Sequence, residues 1–194
     1  MRRLVLAFFA AVLTCSAAEP AQIPVELFSA DGSTIKDPEA PVSLKLPAGW
    51  NLVSASRSGN HETTLMFLDQ TTHRVLSLNY QFPIQDAYPA DPEAFLAQGM
   101  NEKVVKRQGE AGLADYKVRS ASVKQQTVNT HPALGFTADY TARGPLGPQP
   151  MVEYMLKTVT NTMKAHFFSD VPAGVETEEF LTRLDSLTQT LNIP

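Results

Sequence analysis

From Val42 to Leu46 apolar and polar residues alternate one for one, and the same period of two returns down most of the chain. Alternation of this kind places one set of side chains on a core and the other in water, the mark of a half-buried strand. A turn at Pro47-Ala48-Gly49 leads into Trp50, and strand character resumes at Leu52–Ser56. Thr63–Leu68 and Val75–Phe82 read as a hairpin around Asp69–His73, with Leu76, Leu78, Tyr80 and Phe82 on one face. The period then changes. Asp91-Pro92-Glu93 supplies an N-cap, a proline at the first helical position and an acid near the positive end of the helix dipole. Phe95, Leu96, Met100, Lys103 and Val104 follow at helical spacing, ending near Gln108-Gly109. Beyond Gly112 the β pattern returns. Tyr116–Val128 reads as one long strand, turned at Asn129–Pro132, and Leu134, Phe136, Ala138 and Tyr140 alternate after it. Gly144–Pro150, with three prolines, reads as a loop. Val152, Tyr154 and Leu156 form a strand, separated by Asn161-Thr162 from another at Lys164–Ser169. A last helix is capped at Thr177-Glu178-Glu179-Phe180, its stripe formed by Phe180, Leu181, Leu184, Leu187, Thr188 and Leu191. Strands joined mainly by hairpins argue for an α+β fold, an antiparallel sheet with helices packed on it.

The two ends of this pattern differ from the middle. Residues 19–41 contain Pro20, Pro24, Pro38 and Pro41 and an Asp31-Gly32-Ser33 turn, so an extended lead-in is expected, with one short strand at Val25–Ser29. Before it, Met1-Arg2-Arg3, an apolar run from Leu4 to Leu13, and the small residues Ser16-Ala17-Ala18 have the three parts of a secretory signal. The run is too short to span a bilayer, which takes about 20 helical residues. The expected organisation is therefore a signal over 1–18, cut at Ala18|Glu19, a lead-in over 19–41 and a single domain over 42–194. Export to the periplasm or beyond follows. Cys15 is the only cysteine in the chain. It leaves with the signal unless it carries a lipid, which would make the protein a membrane-anchored lipoprotein; Thr14 and Val12 stand where a lipoprotein signal has a small residue and a leucine. Without Cys15 the mature chain offers no disulfide, thiolate metal site or Cys nucleophile.

The full chain carries 16 Lys and Arg against 20 Asp and Glu, a net charge of −4, and losing Arg2 and Arg3 takes it to −6. An acidic chain without a Lys/Arg cluster lacks the electrostatic footprint of a nucleic-acid binder. His61, His73, His131 and His166 lie far apart in sequence, unlike the closely spaced pairs of zinc sites, and read as turn or surface residues. Asp69 with His73 reads as turn chemistry. No Gly-x-Ser-x-Gly elbow is present, and the glycines of 144–150 are interleaved with prolines, which cannot donate to a phosphate. No catalytic, metal or cofactor residues are assigned, and no cofactor is expected.

Leu44-Lys45-Leu46-Pro47-Ala48-Gly49-Trp50, an apolar strand followed by Pro, a small residue, Gly and Trp, resembles the opening of PsbP-like domains. The later order of hairpin, helix, meander and C-terminal amphipathic helix is similar too, so the resemblance covers roughly residues 42–191. The superfamily includes the extrinsic photosystem II subunit, the Ran-binding nuclear import factor and exported bacterial proteins. The resemblance implies an α-β-α sandwich around an antiparallel sheet and members that bind other macromolecules; it brings no catalytic set. Pro47, Gly49 and Trp50 themselves read as a turn plus a core aromatic. The function expected is that of an exported, non-enzymatic accessory or binding protein of the bacterial envelope, whose partner is a protein or another envelope macromolecule. The alternative is a small exported hydrolase with a site assembled from dispersed residues. The expected contact surface is the proline-rich loop, through Pro145, Leu146 and Pro148: its prolines limit the entropy lost on docking, and binding residues concentrate on loops held by a rigid scaffold.

Overall fold

The computed structural model describes residues 21–28, 33–59, 61–84, 87–145 and 147–194. The signal with Cys15 and the 18|19 junction, together with Ser29, Asp31-Gly32 and Leu146, lies outside them. Twelve strands and two α-helices are described: β1 (Ala21–Gln22), β2 (Thr34–Lys36), β3 (Ser43–Lys45), β4 (Trp50–Arg57), β5 (Glu62–Asp69), β6 (Arg74–Gln81), α1 (Pro92–Gln108), β7 (Leu113–Val118), β8 (Lys124–Val128), β9 (His131–Gly144), β10 (Gly147–Val159), β11 (Lys164–Pro172), α2 (Val175–Thr188) and β12 (Leu191–Asn192). One antiparallel sheet runs β1-β4-β5-β6-β11-β10-β9-β7, with β8 also paired to β9. A second, small sheet runs β12-β3-β2.

Strand parity divides the core in two. On β10 and β11, Val152, Tyr154, Leu156, Ala165 and Phe167 join Phe180, Leu184 and Leu187 of α2, together with Trp50, Leu65, Phe67, Leu76 and Leu78. Residues of the opposite parity on the same strands, Met155 and Phe168, join Phe136, Ala138 and Tyr140 beneath Met100 and Val104 of α1. Successive strand side chains point to opposite faces, so α1 and α2 lie on opposite sides of the sheet. The centre of β9 and β10 is covered on both faces, and their burial there is continuous rather than alternating.

Most strands and both helices fall where the hydrophobic pattern puts them; four expectations need correcting. The strand expected at Val25–Ser29 is a 3-10 turn over Val25–Leu27. Phe28 and Ile35, from the segment expected to be an extended lead-in, are buried in the main core. Asp37 in the same segment has a fully buried side chain that accepts hydrogen bonds from Arg57 Nη2 at 2.7 Å and from the Tyr80 hydroxyl. The long strand expected over Tyr116–Val128 is two strands on the same edge of β9, separated by a 3-10 turn at Ser120–Ser122. Ser122 explains the break: its Oγ accepts from Thr137 N at 2.8 Å and donates to Arg119 O at 2.7 Å, replacing the ladder partners the backbone gives up there.

The third correction concerns Gly144–Pro150, expected as a loop. Strand pairing continues to the tip: Gly147 stands opposite Gly144, Pro148 opposite Arg143 and Pro150 opposite Thr141. Prolines survive in β10 because Pro150 O accepts from Ala173 N, so its nitrogen also faces away from β9, and Pro148, two residues earlier, shares that orientation. Neither proline is asked to donate to the β9 ladder. Fourth, α2 begins at Val175, not at Thr177. The Thr177 hydroxyl donates to Pro172 O at 2.9 Å, and Leu191 leaves the helix to pair with Leu44 in the small sheet, where it is still buried.

The Pro47–Trp50 turn has a specific structural task. Gly49 has φ +85°, a conformation L side chains avoid, and a Cβ there would stand 2.7 Å from Arg183 Nη2. That guanidinium donates to Ala48 O at 3.1 Å and to the fully buried Asp69 carboxylate at 2.7–3.0 Å. Trp50 then packs on Phe180 with ring centroids 6.0 Å apart. Turn, hairpin and α2 are thereby pinned together.

Candidate functional site

The break in the edge strand opens a groove of about 550 Å³ between α2 and the segment Arg119–Gln126. Gly135 and Thr137 of β9 and Tyr154 of β10 line its floor. Leu181, Thr182, Asp185 and Ser186 form the α2 wall, and Ser122, Lys124 and Gln126 the opposite one. Gly135 keeps the floor low; a Cβ there would approach Leu156 Cδ1 to 3.3 Å. Thr137 Oγ1 is buried and has no hydrogen-bond partner among the described residues. Burial holds the Tyr154 hydroxyl well above its usual range, so it stays protonated.

Two ion pairs bridge the groove. Arg119 Nη1 lies 2.9 Å from Glu178 and Lys124 Nζ 3.9 Å from Asp185. Arg119 also donates to both oxygens of Asp139 at 2.8–3.1 Å, and these carboxylates, Asp139 first, hold its guanidinium firmly charged. Exposed pairs of this sort contribute about 0–1 kcal/mol each. The bridges therefore define the groove's width without preventing it from opening. Beside it β8 pairs with β9 alone, leaving its outer edge without a neighbouring strand among the described residues.

The residues expected to make the contact surface sit elsewhere. Pro145 and Pro148 are exposed at the β9–β10 hairpin, and Leu146 lies outside the described residues. Seven residues of β9 separate Thr137 from Gly144, roughly 23 Å at strand rise, so hairpin tip and groove are distinct surfaces. Sequence reading missed the groove because it lies between elements distant in the chain. The one local sign was Ser120-Ala121-Ser122, small hydroxyl residues that compete with a strand ladder.

The histidines stay apart. His61 and His73 occupy turns with φ near +60°, and His131 opens β9. His166 departs from the surface expectation: it is half-buried on the α1 side of β11, opposite Lys157 of β10 and Asn79 of β6. Among the described residues no group of three or more His, Cys, Asp or Glu could hold a metal ion. Asp69, read as turn chemistry, does accept from Thr71 N and the Thr72 hydroxyl. Burial alone would raise its pKa, but Arg183 and these donors bring it below the ordinary carboxylate value. A second buried carboxylate, Glu153, accepts from Arg107 Nε at 2.6 Å and the Tyr116 hydroxyl at 2.8 Å, and Arg107 reaches Asp170 and Glu110 as well. This network fastens the last turn of α1 to the sheet.

The architecture can be matched. A cyanobacterial PsbP (CyanoP) from Synechocystis has a solution structure that superposes with a TM-score of 0.53, at 12% identity, over 83% of this chain and 91% of that one. The fold is therefore similar to that of PsbP. A Bacteroides thetaiotaomicron protein superposes with a TM-score of 0.51 at 15% identity over 84% of this chain, which spans about half (48%) of that larger one. LpqN of Mycobacterium tuberculosis, described as involved in cell envelope biogenesis, gives 0.49 at 13% identity over 91% and 93% of the two chains. No family model matches the sequence, and no curated protein does either. No helix among the described residues is long and apolar enough to cross a membrane.

Proposed function

We propose that this PsbP-like protein is an exported, non-enzymatic accessory factor of the bacterial envelope that holds an extended segment of a polypeptide partner in the groove between α2 and β8. The signal-like residues 1–18 supply the argument for export, and the two helices packed on opposite faces support reading the domain as an α-β-α sandwich. The observation that carries the binding reading is the groove itself. At about 550 Å³ it falls in the range of ligand sites, and it runs beside a strand edge that is unpaired among the described residues. An incoming strand can add to such an edge through main-chain hydrogen bonds while its alternate side chains enter a neighbouring cavity. Opening the Arg119–Glu178 and Lys124–Asp185 bridges frees Lys124, Glu178 and Asp185 to pair with the partner instead, while Arg119 keeps Asp139.

The hydrolase alternative draws on His166, whose pKa burial lowers. Its neighbourhood has little to offer as a nucleophile: among the described residues Thr158 is the one hydroxyl lining the adjacent cavity, and it donates to Pro132 O at 2.9 Å. The hairpin tip at Pro145 and Pro148 stays the second candidate surface for the partner. Two variants separate the surfaces. Thr182→Trp fills the groove from an exposed position on α2 and should keep the parental melt while abolishing recovery of the partner from an envelope extract. Replacing residues 145–148 by a Gly/Ser turn should leave recovery intact. Full recovery with Thr182→Trp overturns the groove, and loss with the hairpin exchange alone transfers the role to the tip.

A further inference from the structure

On the opposite face of the sheet, beneath α1, lies a smaller cavity of about 190 Å³ with an unusual balance of charge. One wall is apolar, from Phe95 and Leu96 of α1 and Val159 of β10. The other carries Lys157 and, directly across the strand pair, His166. Lys157 Nζ is half-buried and its recorded partner is the Gly99 carbonyl, a long contact at 3.4 Å. Lys103, one turn further along α1, holds its ammonium 5.2 Å from the Phe168 ring centroid. Among the described residues neither Lys103 nor Lys157 has a carboxylate within 4 Å. Two acids close enough to act on Lys157 are already engaged, Glu102 by Gln98 and Glu153 by Arg107 and Tyr116.

The imidazole does not supply the missing counter-charge. Asn79 Oδ1 accepts from the Thr64 hydroxyl, which turns the amide nitrogen toward His166 Nε2 at 3.2 Å. Nε2 is then the acceptor, and the ring is neutral with its proton on Nδ1. Burial first, then Lys157 and Lys103, push its pKa down to about 4, and burial and Lys103 also lower that of Lys157. In a chain with net negative charge, a half-buried cation beside a second cation and facing a neutral ring is an arrangement that an anion would complete.

We infer that this cavity binds a small organic carboxylate, its head at Lys157 and its short apolar body against Leu96, Phe95 and Val159. A carboxylate with a hydrocarbon body uses the apolar wall as well as the lysine, whereas the further oxygens of an inorganic phosphate would face that wall without donors. The volume lies below that of drug-sized pockets and limits the ligand to a short chain or single ring. This site is independent of the α2–β8 groove, and its occupancy says nothing about the partner.

The test is an NMR titration of the purified protein at fixed ionic strength, following the His166 ring and Lys157 side-chain signals. The probes are sodium butyrate, inorganic phosphate and the uncharged 1-butanol. Butyrate should shift both sets of signals saturably, and Lys157→Met should weaken it at least tenfold while leaving the melting temperature unchanged or raised. Lys103→Gln, on the helix surface, should weaken it severalfold and serves if Lys157→Met does not fold. Butyrate binding tighter than phosphate supports the carboxylate assignment; phosphate binding tighter than butyrate overturns it. Equal binding of 1-butanol, or butyrate shifts that survive both substitutions, would mean an apolar crevice without an anion site. Absence of any saturable shift with butyrate overturns the proposal outright.

Discussion

His166 is neutral in the folded protein and free to protonate once unfolded. Its pKa falls from the ordinary 6.5 to about 4, so between these values the unfolded chain binds more protons and stability decreases as pH falls. Above about pH 6.5 neither state is protonated and nothing is lost; below about pH 4 both are, and this residue costs no more. The loss across the window is at most about 3 kcal/mol. Urea melts at pH 7, 5.5 and 4.5 should show the decline, and His166→Asn should flatten it. Asp69 acts in a lower window: its pKa lies below 3.8, so its contribution persists until the medium is more acidic. At Gly49 the backbone rather than charge decides. Alanine there has to accept φ +85° and displace Arg183, which is tied to Asp69 and Ala48. Gly49→Ala should cost about 1–3 kcal/mol, readable as a shifted denaturation midpoint with an unchanged slope. The Pro-Ala-Gly-Trp string was legible as a turn with a core aromatic, and Trp50 is buried as expected. That Gly49 also admits a guanidinium from a helix more than a hundred residues away was not, because sequence carries no sign of such an approach.

At the level of elements, α1 shows how far local signals reach. Asp91 accepts from Ala94 N at 2.9 Å and Gly109 ends the helix, as the capping residues predict. Phe95, counted into its apolar stripe, is instead exposed beneath Lys164, 5.8 Å from its ring centroid, since α1 meets the sheet through Leu96, Met100 and Val104. For α2 the stripe holds from Phe180 to Thr188 while Leu191 lies in β12, and the cap differs, since Gly174 makes no side-chain cap. Leu184 is fully buried between α2 and the sheet. Truncating such a leucine to alanine costs about 2–5 kcal/mol, and a charge there costs more. Leu184→Asp should leave little soluble protein, measured as the soluble fraction after expression; a parental yield and melt would mean that α2 does not pack on the sheet. The hairpin at 144–150 failed as an expectation because proline was weighed as a breaker without regard to side. Which way its nitrogen points is set by the register with β9, a tertiary fact.

For the whole molecule, the α+β antiparallel architecture was legible because it rests on period and hairpin order, which a single sequence displays. The groove was not, since Thr137, Tyr154, Leu181 and Lys124 come from four elements and none carries a local signature. The account places a polypeptide partner in that groove and nothing on the outer face of α1. Site-specific photo-crosslinking in cells compares the two directly, with a photoreactive residue at Thr182 on the groove wall or at Val105, exposed on α1. The account predicts a discrete crosslinked polypeptide from position 182 and none from position 105. No adduct at 182, or the same adducts from both positions, would contradict it.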